Sequence, residues 1–104
     1  LNYWRNKTMT RKKAIKTIMA VTTHGDKRAA DNTFDAVKKH LAGNPSNATV
    51  LYRTLILINN RASRDPEPSF YTFTVIMRAS IYAELMRNHY GPGVGGKLIG
   101  DAEA

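Results

Sequence analysis

The residues in this sequence with recognisable chemistry are cations standing beside aromatic rings. Arg5, Lys7, Arg11, Lys12, Lys13 and Lys16 crowd the first sixteen positions, Tyr3 and Trp4 stand among them, and no Asp or Glu precedes Asp26. Ammonium and guanidinium groups in such a run hold phosphates, and rings next to them stack on unpaired bases. Lys27 and Arg28 come just after the acid-free stretch and extend the same set. The mixture also suits an arm that folds back and covers the core of a small domain with Tyr and Trp. The predicted nucleic-acid contacts are therefore Arg5, Lys7, Arg11, Lys12, Lys13, Lys16, Lys27 and Arg28, with Tyr3 and Trp4 as stacking candidates.

Other chemistries find little to work with. Cysteine is absent, which excludes disulfides, thiolate metal sites and cysteine nucleophiles. His24, His40 and His89 stand singly near expected helix ends, so no metal site is expected. Asp31 and Asp35 are one helical turn apart, but the flanking lysines make them an exposed, salt-bridged face rather than a pair sharing a proton. Asp65 and Glu67 fall in a proline-containing connection, and Glu84 is isolated. Gly91 to Lys97, GPGVGGK, has the glycine and lysine spacing of a phosphate loop. Such a loop follows a strand and opens a helix, with Ser or Thr next to hold magnesium. Here a helix is expected before it and Leu98 takes the hydroxyl position, so the stretch reads as tail. No cofactor is expected and the chain is not read as an enzyme.

The chain has 104 residues with 16 Lys and Arg against 8 Asp and Glu, a formal charge of +8. Residues 1–25 contribute +6, residues 26–61 contribute +3 and residues 62–104 contribute −1. A balance of this kind favours polyanionic partners and says nothing about fold. The length suits one domain with a core of its own. No apolar run approaches the roughly 18 residues of a membrane span, no signal-peptide pattern opens the chain, and the lack of Cys suits a cytoplasmic protein. The first residue is Leu1, and Met9 offers an alternative natural start.

The elements that must position the basic residues are legible as helices. Thr10 is placed to cap a helix through Thr22, with Ala14, Ile15, Ile18 and Met19 on one face. Arg11, Lys12 and Lys13 then sit at the positive end of the helix dipole, where each exposed cation costs about 0.3–1 kcal/mol. After the break Thr23, His24 and Gly25, Asp26 caps a second helix from Lys27 to about Leu41, with Ala30, Phe34, Val37 and Leu41 as its apolar stripe. Lys27 to Asp31 and Asp35 to Lys39 are spaced for ion pairs along it, and Gly43 ends it. Two helices about a glycine invite comparison with a helix-turn-helix. Aligned on Gly25, Phe34 suits one packing position and Asp31 fails the other.

A third segment, Ala48 to Ile58, follows the capping sequence Pro45, Ser46 and Asn47; Ala48, Leu51, Tyr52, Leu55 and Ile58 line up at helical spacing. Asn59 to Ser69, with Pro66 and Pro68, is expected to be a flexible connection. Phe70 to Tyr90 reads as one helix capped by Ser69, with Phe70, Phe73, Met77, Ile81 and Leu85 as the face expected to enter the core. The alternative is α+β, with residues 50–58 and 70–77 paired as a hairpin. Residues 91–104 carry five glycines and are expected to form a flexible tail.

These features combine into a mainly α, small four-helix domain at 10–90, an arm at 1–9 and a tail at 91–104. Its expected role is a small basic nucleic-acid-binding protein that grips phosphates with the arm and first helix. The rival is a non-enzymatic protein-binding module, an adaptor or small inhibitor that meets an acidic protein surface. That reading calls for an exposed aromatic or Met-rich patch, with Tyr71, Met77, Tyr82, Met86 and Tyr90 as candidates.

Overall fold

Four helices carry the fold, and each begins where a short polar side chain can satisfy the free amides of a first turn. The computed structural model describes residues 8–22 and 25–102. Among the described residues the elements are α1 (Arg11–Thr22), α2 (Lys27–Lys39), α3 (Asn47–Ser63), α4 (Phe70–Tyr90), a 3-10 turn (Pro92–Gly95) and the short α5 (Ile99–Ala102). Thr10 Oγ1 accepts from the Lys13 amide at 3.1 Å and Asp26 Oδ1 from the Ala29 amide at 3.1 Å. Ser46 caps α3 through the Thr49 amide. Ser69 and Thr72 cap α4 reciprocally, each side chain bonded to the other's backbone amide. Both segments of the possible hairpin are helical and the domain is mainly α.

The core is a single cluster drawn from every long helix. α1 supplies Ala14, Ile15, Ile18 and Val21, α2 supplies Ala30, Phe34 and Val37, and α3 supplies Val50, Leu51 and Leu55. Met9, assigned to the arm, is buried among them, and its carbonyl accepts a 3.1 Å bond from Asn47 Nδ2 at the start of α3. Buried Thr54 returns its hydroxyl proton to the Val50 carbonyl at 2.7 Å, so the apolar interior meets no unbonded hydroxyl there.

α3 is longer than its apolar pattern. It continues through Asn59–Ser63, residues expected in the connection, because nothing in NNRAS breaks a helix and the first obstacle is Pro66, which restrains Asp65 before it. The remaining link is braced by Asp65, whose Oδ1 accepts from the Glu67 amide at 3.0 Å and Oδ2 from the Thr72 hydroxyl at 3.0 Å. α3 and α4 then run antiparallel as the most extensive helix pair, with Asn59 bonded to Ser80 at 2.7 Å.

The facing of α4 corrects the sequence reading. Thr72, Val75, Ala79, Ala83 and Met86 enter the core, while Phe70 is 89%, Phe73 58%, Met77 55% and Ile81 51% exposed. Leu85 is half-buried against the cluster. Both sets repeat at helical spacing, so periodicity alone selects neither. Helices approach at a distance set by the side chains between them. A face of Thr, Val and Ala adds little to the volume that Leu51, Leu55 and Phe34 already fill.

The glycine-rich segment expected as a tail also contributes to the core. Gly91 and Gly96 turn the chain at φ 89° and 67°, with ψ near 180°, a region essentially reserved for glycine. Between them Val94 is buried. The segment then meets the end of α2: the Ala42 amide donates to the Lys97 carbonyl at 2.8 Å and the Ile99 amide to the His40 carbonyl at 3.1 Å, bridging Leu41 and Leu98.

Candidate nucleic-acid interface

The basic residues of α1 divide into a clamp and an open edge. Residue spacing decides which side of the helix each one takes. Ala14, Ile15, Ile18 and Val21 face the core, which turns Lys12 and Lys16 to solvent one helical turn apart, with Lys13 half-buried beside them. Thr10, Lys12, Lys13 and Lys16 line one shallow depression at the start of the helix.

Arg11 points the other way. Its guanidinium meets Asp35 through two bonds of 2.8 and 3.2 Å and Asp31 through one of 3.3 Å. It also lies 4.9 Å from the centre of the Phe34 ring. Lys27 completes the group with a 3.0 Å pair to Asp31, the pairing its spacing predicts. Asp35 takes Arg11 rather than Lys39. Among the described residues these are the ion pairs, and Lys12, Lys13, Lys16 and Arg28 join none of them.

The electrostatics agree with the geometry. Hydrogen bonding from Arg11 holds the Asp35 carboxyl below its ordinary range, and bonding from Lys27, with the Arg11 charge behind it, does the same for Asp31. The Asp35 bond raises Arg11 further above its already high value. Arg11 thus joins α1 to α2 and shields Phe34, a structural duty that competes with binding phosphate.

Arg5, Lys7, Tyr3 and Trp4, predicted in the arm, lie outside the described residues. Of the other six predicted contacts, Lys12, Lys13 and Lys16 come together and Arg28 is exposed on α2, whereas Arg11 and Lys27 are engaged by carboxylates. α2 runs antiparallel to α1, since Arg11 at the start of α1 meets the second half of α2. Lys38 and Lys39, both exposed, therefore lie toward the α1 N-terminus, and their charges reach Asp35. Between the helices, Ile15 and Met19 line a groove together with Arg11, Lys12, Lys16, Lys27 and the carboxylate of Asp31.

Asp31 fails the helix-turn-helix packing test as the sequence suggested: it serves the surface clamp while Phe34 is buried. Lys97 follows a 3-10 turn rather than a strand, and the short α5 comes after it. Among the described residues no three His, Asp or Glu groups are placed to hold a metal, and no helix is long and apolar enough to cross a membrane. In comparisons with known proteins the chain matches no family model, no curated protein and no solved structure.

Proposed function

We propose that the protein binds nucleic acid without acting on it, through phosphate contacts from Lys12, Lys13 and Lys16 at the start of α1. The observation that carries the reading is the division of labour on α1. The nearby carboxylates, Asp31 and Asp35, are occupied by Arg11 and Lys27, leaving the three lysines together on an edge of a chain with formal charge +8. Lys38 and Lys39, exposed on α2 toward the N-terminus of α1, add positive charge beyond the clamp. Arg5 and Lys7 would add to it from the arm, where Tyr3 and Trp4 supply stacking for unpaired bases. The role of Arg11 in the reading is indirect: it fixes the helix that presents the lysines.

The test is binding to duplex DNA, single-stranded DNA and RNA across a salt series, with a Lys12→Ser, Lys13→Ser, Lys16→Ser variant alongside. Three to five phosphate contacts give a slope of log affinity against log salt of about −3 to −5 on duplex, and losing three of them flattens it by about 2 to 3. Absence of binding at moderate salt, or an unchanged slope in the variant, refutes the reading. A second reading, a protein-binding module, is favoured by the apolar outer face of α4, which supplies the exposed aromatic and Met patch through Phe70, Phe73 and Met77.

A further inference from the structure

We infer that the outer face of α4 is a homodimer interface, in which two copies pack α4 against α4 in antiparallel fashion about a two-fold axis. This stands apart from the lysine edge and rests on a different surface. Phe70, Phe73, Met77 and Ile81 follow one another at three- and four-residue steps along the side of α4 opposite its core face. The residues between them on that side, Thr74 and Ser80, are uncharged, and the first charge is Glu84, one turn beyond Ile81.

Neighbouring polar groups leave the stripe clear. Arg78 turns its guanidinium to the Ala20 carbonyl at 3.1 Å, and Tyr71 turns its hydroxyl to the Thr22 carbonyl at 2.6 Å. Both are bent back onto the end of α1, flanking the stripe without crossing it.

Area selects the occupant. With 150–250 Å² for a whole aromatic side chain, these four residues expose on the order of 500 Å² in one copy. Two copies face to face remove on the order of 1,000 Å², the least a specific interface must reach, and flanking residues add to it. The glycine-rich segment that follows α4 is engaged elsewhere. Gly91–Ile99 is committed to the α2–α3 connection.

Charge leaves this face open to a second copy. A foreign partner suited to a chain of charge +8 carries acids, and this stripe offers them no cation. Two copies repel through their net charge, and a charge-free face is where they approach at least cost. Centred between Val75 and Ile76, an antiparallel pair sets Phe70 against Ile81 of the second copy and brings Phe73 within one residue of its Met77. The helix dipoles then oppose, and thioether meets ring.

Sedimentation equilibrium of the full chain from 1 to 200 µM tests this directly. The mass is expected to rise from 11.6 kDa toward twice that value, more readily as salt screens the repulsion. Met77→Glu is expected to weaken association at least tenfold while the helical circular dichroism and melting of the monomer stay unchanged. Because the chain has no cysteine, single replacements report the register cleanly. Met77→Cys is expected to oxidise to a linked dimer, its two copies offset by about 5 Å along the axis, whereas Glu84→Cys pairs lie about 25 Å apart and stay unlinked. A monomer at 200 µM, a dimer indifferent to Met77→Glu, or linkage through Glu84→Cys as fast as through Met77→Cys overturns the inference.

Discussion

Gly91→Ala and Gly96→Ala form a matched pair that separates backbone conformation from packing in the C-terminal segment. Both glycines hold positive φ with extended ψ, a conformation costing another residue about 1–3 kcal/mol. Alanine returns about 0.4–1 kcal/mol by restricting the unfolded chain. Gly91→Ala is therefore expected to lose about 1–2 kcal/mol, since a Cβ there meets nothing within 4 Å. At Gly96 the same Cβ lies 2.6 Å from Thr49 Cγ2 on α3. Relieving an overlap of that kind costs about 1–3 kcal/mol more, so Gly96→Ala is expected to lose about 2–5 kcal/mol in total. Thr49→Ser removes the methyl and keeps the hydroxyl bonded to Ser46. In a double-mutant cycle it is expected to recover about 1 kcal/mol or more of the Gly96→Ala loss. Urea unfolding followed by far-ultraviolet circular dichroism gives each value from the midpoint at constant slope. Equal losses at the two glycines, with no coupling to Thr49→Ser, would refute the seating of this segment on α3.

Acid should loosen the junction of α1 and α2. The carboxyls of Asp31 and Asp35 are held below their ordinary range in the folded chain, so they contribute stability above their unfolded values, and that contribution is lost as pH falls through the folded ones. Below about pH 4 the wild type is therefore expected to lose stability more steeply than Asp31→Asn, Asp35→Asn, with urea midpoints between pH 5 and 2 as the measurement. Arg78→Met, which keeps the stem and removes the donor to the α1 carbonyl, is expected to cost about 0.5–2 kcal/mol. Thermal melting reads this as a fall of several degrees; an unchanged midpoint would mean that the terminal carbonyls of α1 are satisfied without α4.

What could be read from the sequence, and what could not, divides by the distance between interacting residues. Thr10, Asp26, Ser46 and Ser69 were legible as caps because each bonds an amide three residues away. Ala30, Phe34 and Val37 were legible as core because the opposite side of α2 is charged and leaves one choice. The carboxylate partners of Arg11 were not legible because they lie 20 and 24 residues ahead. The only local hint was the unusual pair of acids on α2, whose spacing to Lys27 and Lys39 accounted for them without Arg11. Val94 was missed because the four glycines of its neighbourhood signal freedom in the unfolded chain, while two of them are needed for the turns that bring Val94 inward.

α4 is different, since its local pattern was correct and its facing was not. An amphipathic helix reveals its buried side because only one side is apolar. α4 has two such sides: small residues at Ala79 and Ala83 for α3, and large ones at Phe70, Phe73, Met77 and Ile81. One domain of this size has room for a single side, and close helix packing favours the small one. The larger side chains are then left where a second surface can use them. Burying two aromatics, a Met and an Ile is favourable by about 25 cal/mol for each Å² removed from water. Leaving them exposed forgoes that gain in the isolated chain, and an antiparallel partner restores it. The ambiguity of the α4 pattern and the dimer inference therefore have one origin, more apolar helix surface than the core of a single copy can take in.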